Sequence, residues 1–193
     1  VSEGLQNAEG GLMAEARTKD AFGHAQLGGV GPLIANLVKD RLGYLPEEKG
    51  LYKKMKTAEI VAYFGKLKGM DRTTANLKAR ELLTHYGLGD WLDKRCEAMS
   101  KGMGQKVQVL GTIIHEPELV ILDEPFSGLD PVNADVLRDA ILGLKKDGAT
   151  VIFSTHDMSV AERMCDFIFM IYKGRKVLDG TLDAIHTQYG EDT

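Results

Sequence analysis

The chain of 193 residues is poor in cysteine, proline and aromatic residues, with 2 Cys, 5 Pro and 1 Trp. Cys96 and Cys165 lie far apart and outside any metal-ligand spacing, which argues against a disulfide framework or a zinc module. No charged-then-apolar leader opens the chain, so a reducing, cytoplasmic interior is the expected setting. Positive charge is not in surplus. With 24 Lys and Arg against 28 Asp and Glu, nothing is left over to displace counterions from a phosphate backbone, and nucleic acid is not an expected partner. The longest apolar runs, Leu119 to Leu122 and Phe167 to Tyr172, fall far short of the roughly 18 residues a spanning helix needs. What remains is a chain 44% hydrophobic and 27% charged, able to bury a core as one domain with an insertion.

The first 40 residues are glycine-rich and weakly periodic, and they begin with Val, which suggests an incomplete or processed start. Gly28, Gly29, Gly31 and Pro32 predict a loop, followed by a short amphipathic turn through Leu33, Ile34, Leu37 and Val38. From Thr57 the pattern becomes helical. Ile60, Val61, Phe64 and Leu67 predict one helix, with Thr57 as N-cap and Gly69 as stop. Leu77, Leu82, Leu83 and Tyr86 predict a second from Arg72 or Thr73 to Tyr86, ended by Gly87. A third short helix is expected over Asp90 to Glu97. Beyond Ser100, helices alternate with buried strands: helix Gly104–His115, strand Glu118–Asp123, helix Asn133–Lys146, strand Thr150–Thr155, helix Met158–Cys165, strands Phe167–Tyr172 and Lys176–Leu178 turning at Lys173-Gly174, and helix Thr181–Tyr189. That alternation implies an α/β fold with a mainly parallel sheet flanked by helices.

The chemistry concentrates where strands end. Leu119-Val120-Ile121-Leu122 runs into Asp123-Glu124-Pro125, which puts two carboxylates at the carboxyl edge of a parallel sheet, where such folds bind ligands. Ser127-Gly128-Leu129-Asp130-Pro131 follows, and the next strand ends in Ser154-Thr155-His156-Asp157. One carboxylate to hold Mg²⁺, another to orient or deprotonate a water and a histidine to bond a γ-phosphate would suit hydrolysis of a phosphoanhydride. Upstream, Met99-Ser100-Lys101-Gly102-Met103-Gly104-Gln105-Lys106 opens a helix with a cap and small residues. A helix start of that kind offers free N–H groups to a phosphate. It also reads as an ordinary N-cap, and the two readings are compatible. Lys49, Lys53, Lys54 and Lys56 form a basic run, either a solvated face or an edge turned to a permease or membrane.

In this order the motifs resemble the ATP-binding subunit of an ATP-binding-cassette (ABC) transporter, in particular those serving ABC-2-type or sodium-export-like permeases. The resemblance covers roughly Arg41 to Gly190. It implies a P-loop-NTPase-like, RecA-like core with an inserted all-helical subdomain and an incomplete N-terminal part. The resulting division is an atypical segment 1–40, a Q-loop region 41–56 around Gly43 to Glu48, a helical subdomain 57–98, and the signature helix with the rest of the core, 99–193. It implies ATP and Mg²⁺ as ligands, with Asp123 as the Walker B aspartate, Glu124 as catalytic glutamate and His156 as switch histidine. Ser100, Gly102 and Gln105 would lie in the signature, Asp130 in the D-loop, and Glu47 would stand where the family has its Q-loop glutamine, able to ligate Mg²⁺ or water. A second subunit, a membrane permease, a place on the inner face of the plasma membrane and export as the direction follow from the same resemblance.

Three departures are visible. Glu47 replaces glutamine and, when ionised, accepts hydrogen bonds without donating. The signature has Lys101 and Met103 at positions where the family has Gly and Gln, so Ser100 and Gly102 transfer most directly. No G-x-x-x-x-G-K-[ST] segment occurs; the only Gly-Lys pair, Gly65-Lys66, precedes Leu67 inside a predicted helix. Without that loop the chain alone is expected to bind ATP weakly or not at all. A truncated or misread gene and a degenerate subunit serving as a docking module are the two explanations.

Overall fold

The computed structural model describes residues 40–47 and 50–189. The expected loop and amphipathic turn in residues 28–38, and Glu48 and Lys49, lie outside the described residues. Two compact units divide the described chain after Phe153.

The first unit holds a parallel sheet of three strands in the order β1 (Leu42–Leu45), β2 (Leu119–Leu122), β3 (Thr150–Phe153). In register, Leu45, Leu122 and Phe153 stand side by side at the carboxyl edge. Val120 and Leu122 are fully buried while Leu119 and Ile121 are partly covered, as the aliphatic run predicts for a central strand. Strand β1 is a correction to the sequence reading, which treated Gly43 to Glu48 as loop. Gly43, Tyr44 and Leu45 pair with Val120, Ile121 and Leu122. Gly43 is needed there because a Cβ would meet the Thr112 carbonyl oxygen at 2.9 Å.

Helix α1 (Thr57–Leu67) and helix α2 (Arg72–His85) form the helical insertion and pack on each other. Lys56, not Thr57, is the N-cap residue of α1, and its N–H donates to Glu59 at 3.2 Å. Thr57 is instead fully buried, its hydroxyl donating to the Lys94 carbonyl at 3.1 Å. Asp71 caps α2, accepting from the N–H groups of Thr73 and Thr74 at 2.8 and 3.0 Å. The face α2 buries also differs from expectation. Leu77 is 59% exposed, whereas Ala75, Ala79 and Leu83 are sealed. Small side chains at four-residue spacing let the two helices approach closely, and a search for bulky apolar residues overlooks them. The helix expected over Asp90 to Glu97 is two 3₁₀ turns, Gly89–Trp91 and Cys96–Ala98. Residues 92–97 pair through the backbone with residues 53–58.

Helix α3 (Lys101–Ile113) is the hub, touching α1, α2 and β1 as well as α4 (Pro131–Lys146). It starts three residues before the expected Gly104, at the Ser100 cap. The α4 helix starts at Pro131 behind Asp130, where proline's missing N–H costs nothing. Helix α4 also packs on β3.

The second unit contains α5 (Met158–Met164), capped by Asp157, then the antiparallel pair β4 (Ile168–Tyr172) and β5 (Arg175–Gly180), and α6 (Leu182–Tyr189). Lys173 and Gly174 both have positive φ, 47° and 72°, the geometry of a two-residue turn matched to strand twist.

Candidate nucleotide-binding and catalytic site

The ladder between β1 and β2 runs one residue past the strand: Asp123 N–H donates to the Leu45 carbonyl at 2.9 Å. Asp123 is therefore fixed at the sheet's carboxyl edge. Glu124 then turns the chain sharply, with φ 45°, a left-handed conformation that side-chain-bearing residues rarely adopt. Ser127 N–H closes that turn on the Glu124 carbonyl at 3.2 Å, and Gly128 takes φ 69°. Both carboxyl-bearing residues are half-buried.

Gln105 clamps this turn from α3. Its side-chain amide donates to the Pro125 carbonyl at 2.8 Å, and the residue is 7% exposed. Sequence reading assigned Gln105 to nucleotide binding; the structure places its amide in this internal bond. Phe126 meets the Phe153 ring edge-on at 5.9 Å, tying the turn to β3 as well.

The starts of α3 and α4 come together beside the turn. Ser100 Oγ accepts from Met103 N–H at 3.2 Å, so the cap and its exposed hydroxyl sit at the positive end of α3. Gly102 is buried against α4, where a Cβ would lie 3.3 Å from Asn133 Nδ2 and 3.4 Å from Leu129 Cδ2. Asp130 is exposed and caps α4, accepting from Asn133 N–H at 3.0 Å. That backbone bond, with a further bond from the Asn133 side chain, holds its carboxyl below the usual range. Lys101 reaches over this loop, and a Cβ on Gly128 would come within 2.7 Å of its ammonium. Sequence reasoning missed that contact, although the lysine stood out as a departure from the signature. It also gave no role to Lys106, which is 7% exposed beside Tyr86 and Leu137; burial pushes its ammonium downward in pKa, against the pull of Asp130.

Glu47 is exposed just beyond β1. His156 belongs to the second unit, exposed two residues before α5. Among the described residues no three His, Cys, Asp or Glu side chains gather as a metal cage. Mg²⁺ does not need one: one or two carboxylates completed by water and phosphate oxygens suffice, and Asp123 at a strand terminus fits that donor set.

A family model described as ABC transporter matches residues 12–127. The chain belongs to this family. The match begins upstream of Arg41, where sequence reading placed the start of the resemblance. An uncharacterized ABC transporter ATP-binding protein of Bacillus subtilis, YhaQ, is 41% identical over 154 residues, 80% of this chain and 52% of that protein. A second, from Alkalihalophilus pseudofirmus, is 45% identical over 148 residues, 77% of this chain and 55% of that one. The ABC transporter ATP-binding protein NatA of Bacillus subtilis is 35% identical over 150 residues, 77% of this chain and 61% of that one. A solved ATP-binding subunit of an ABC transporter superposes with TM-score 0.72 at 33% identity, covering 83% of this chain and 65% of that chain. The chain thus spans about half the length of the first relatives it matches. The expected P-loop-NTPase fold and the ABC ATP-binding assignment both hold. No described helix is long and apolar enough to cross a membrane.

Proposed function

We propose that this chain is part of an ATP-hydrolysing ABC subunit that works on a membrane permease from the inner face of the membrane, with export as the direction favoured by the ABC-2-type resemblance. The observation that carries the reading is the Asp123-Glu124 pair at the end of β2, with Glu124 held at φ 45°. Left-handed residues occur at ordinary turns such as Lys173-Gly174 and cluster at active sites; the adjoining Asp123 at the strand end is what sets Glu124 apart. Mg²⁺, when bound, neutralises charge on the transferring phosphoryl group. Asp123, with Glu47 at the end of β1, would hold that ion. Glu124 would take the proton of the attacking water, and His156 would donate to the γ-phosphate.

Ser100 and Gly102, at the start of α3, would touch nucleotide held on a second subunit, with Asp130 beside them. Lacking a G-x-x-x-x-G-K-[ST] segment, this chain would complete a site whose phosphate loop lies on its partner. Gln105 would act from within, by holding the Pro125 turn, rather than by touching nucleotide. The test is ATP turnover by the assembled subunit pair. Glu124→Gln should lower turnover about 100-fold or more, the usual worth of a general base, while nucleotide still binds. Ser100→Arg in the same pair should block the shared site. Unchanged turnover in both variants overturns the reading and leaves a docking module without chemistry.

A further inference from the structure

One buried cation has no task in the chemistry set out above. Lys106 is 7% exposed, in a groove whose other walls are Tyr86, Leu110, Val136, Leu137 and Ala140. An ammonium there costs stability that a methionine of similar length would not. Burial pushes its pKa down, and the charge that pulls the other way is Asp130. A charge kept where an apolar side chain would fit better breaks a local rule, and such breaks gather where a protein does its work.

The contacts around Lys106 define what that charge can hold. Gly102 stands about one helical turn earlier on α3, so close to α4 that a Cβ would lie 3.3 Å from Asn133 Nδ2 and 3.4 Å from Leu129 Cδ2. Asn133 bonds Asp130 twice, through its N–H at 3.0 Å and through its side-chain amide. Helical side chains lean toward the N-terminus of their helix, so the Lys106 stem leaves the apolar groove on the side where α3 and α4 begin and Asp130 stands. Asp130 is itself exposed, and it follows a loop in which Gly128 has φ 69°. Its bonds to Asn133 tie it to α4; the pull of Lys106 draws it toward α3.

We propose that Lys106 is a positioning residue: its ammonium, seated between α3 and α4, holds Asp130 and the start of α4 against the Ser100–Gly102 end of α3, so that the face offered to a second subunit's nucleotide is assembled in advance. This rests on the reading that the face completes a shared site. The test combines melting of the full chain with ATP turnover by the assembled subunit pair. Lys106→Met keeps the stem and removes the charge, and it should melt at or above the parent. Its kcat should fall about 10-fold at unchanged KM, because nucleotide binds first on the partner's phosphate loop and only closure onto this face is impaired. Lys106→Arg restores the charge and should keep kcat within about twofold of the parent. Asp130→Asn removes the acid while keeping the α4 cap, since asparagine caps as well as aspartate. It should lower the melting midpoint by about 2 °C more in the parent than in the Lys106→Met chain. The two substitutions together should slow turnover no further than either alone.

A lower melting midpoint for Lys106→Met would mean a packing role, a raised KM would mean direct contact with nucleotide, and losses that multiply with those of Asp130→Asn would mean that Lys106 does not act through that acid. Each of these overturns the proposal, as does a kcat equal to the parent's. Glu124→Gln, run alongside, separates the two levels. Full turnover there removes the catalytic reading and the proposal with it; lost turnover there, with Lys106→Met unaffected, removes the positioning role alone.

Discussion

Gly111 lies on α3 where α1 crosses it, and a methyl group there would be 2.5 Å from Phe64 Cδ2, 3.3 Å from Cε2 and 3.4 Å from Cγ. Ordinary carbon contacts begin at about 3.5 Å, so the ring must retreat by about 1 Å. Phe64 is itself half-buried, so its ring has solvent on one side to move toward. Ile60, Val61 and Ala62 on the same helix are fully buried, and the Tyr63 ring lies 6.1 Å from that of Phe64. Overpacking of this kind costs about 1–3 kcal/mol, whereas replacing a mid-helix glycine by alanine returns about 1 kcal/mol through propensity. Gly111→Ala should therefore destabilise the chain by up to about 2 kcal/mol, read as a lower urea midpoint at unchanged slope. A double-mutant cycle isolates the clash. Phe64→Leu in the Gly111→Ala background should recover stability, with a coupling of about 1–3 kcal/mol. If Gly111→Ala gains the full propensity term and the two substitutions simply add, the close approach of α1 and α3 is wrong.

Other expectations follow from the same joints. Gln105→Leu removes the only donor described for the Pro125 carbonyl and should cost about 1–3 kcal/mol in thermal or urea unfolding. Gly128→Ala should cost about 1–2 kcal/mol from its left-handed φ alone, measured the same way. His115 provides a pH test. Its Nε2 contacts the Leu42 carbonyl at 3.3 Å and its Nδ1 is buried without a partner, while burial first, and then the Lys68 charge, push its pKa below the ordinary 6.5. The unfolded chain binds the proton more readily, so the contribution from neutral His115 is complete above about pH 6.5 and is lost as pH falls below it. Urea midpoints from pH 8 down to 5 should fall more steeply for the parent than for His115→Gln; parallel curves refute the assignment.

The aliphatic strands, the Ser100 cap and the carboxylate pair were legible because each is written locally, as a hydrophobic run, a serine before a helix, or two acids after a strand; the caps Asp71, Asp130 and Asp157 were not read, and Thr57 proved to lie one residue inside its helix. Strand β1 was not, because Leu42-Gly43-Tyr44-Leu45 is short and becomes a strand only by pairing with β2. The buried face of α2 escaped for a related reason: Ala75 and Ala79 carry little hydrophobic mass, yet their smallness is what the neighbouring helix needs. Gln105 looked like a ligand contact, since a polar side chain near a glycine-rich helix start fits that role equally well. Only the position of the Pro125 carbonyl separates the two. Lys101 was visible as an anomaly, but its reach over Gly128 depends on how two loops meet.

The bond from Gln105 to Pro125 has a mechanical consequence. Five residues separate Ser100 from Gln105, about 7–8 Å along a rigid helix, and the far end of that lever is bolted to the bend that aims Glu124. A push on the exposed hydroxyl end of the helix cannot be absorbed between the two. In the proposed reading it would reach Glu124 as a displacement of the bend, so an occupant of the Ser100 end would help decide when that carboxylate is in position to act.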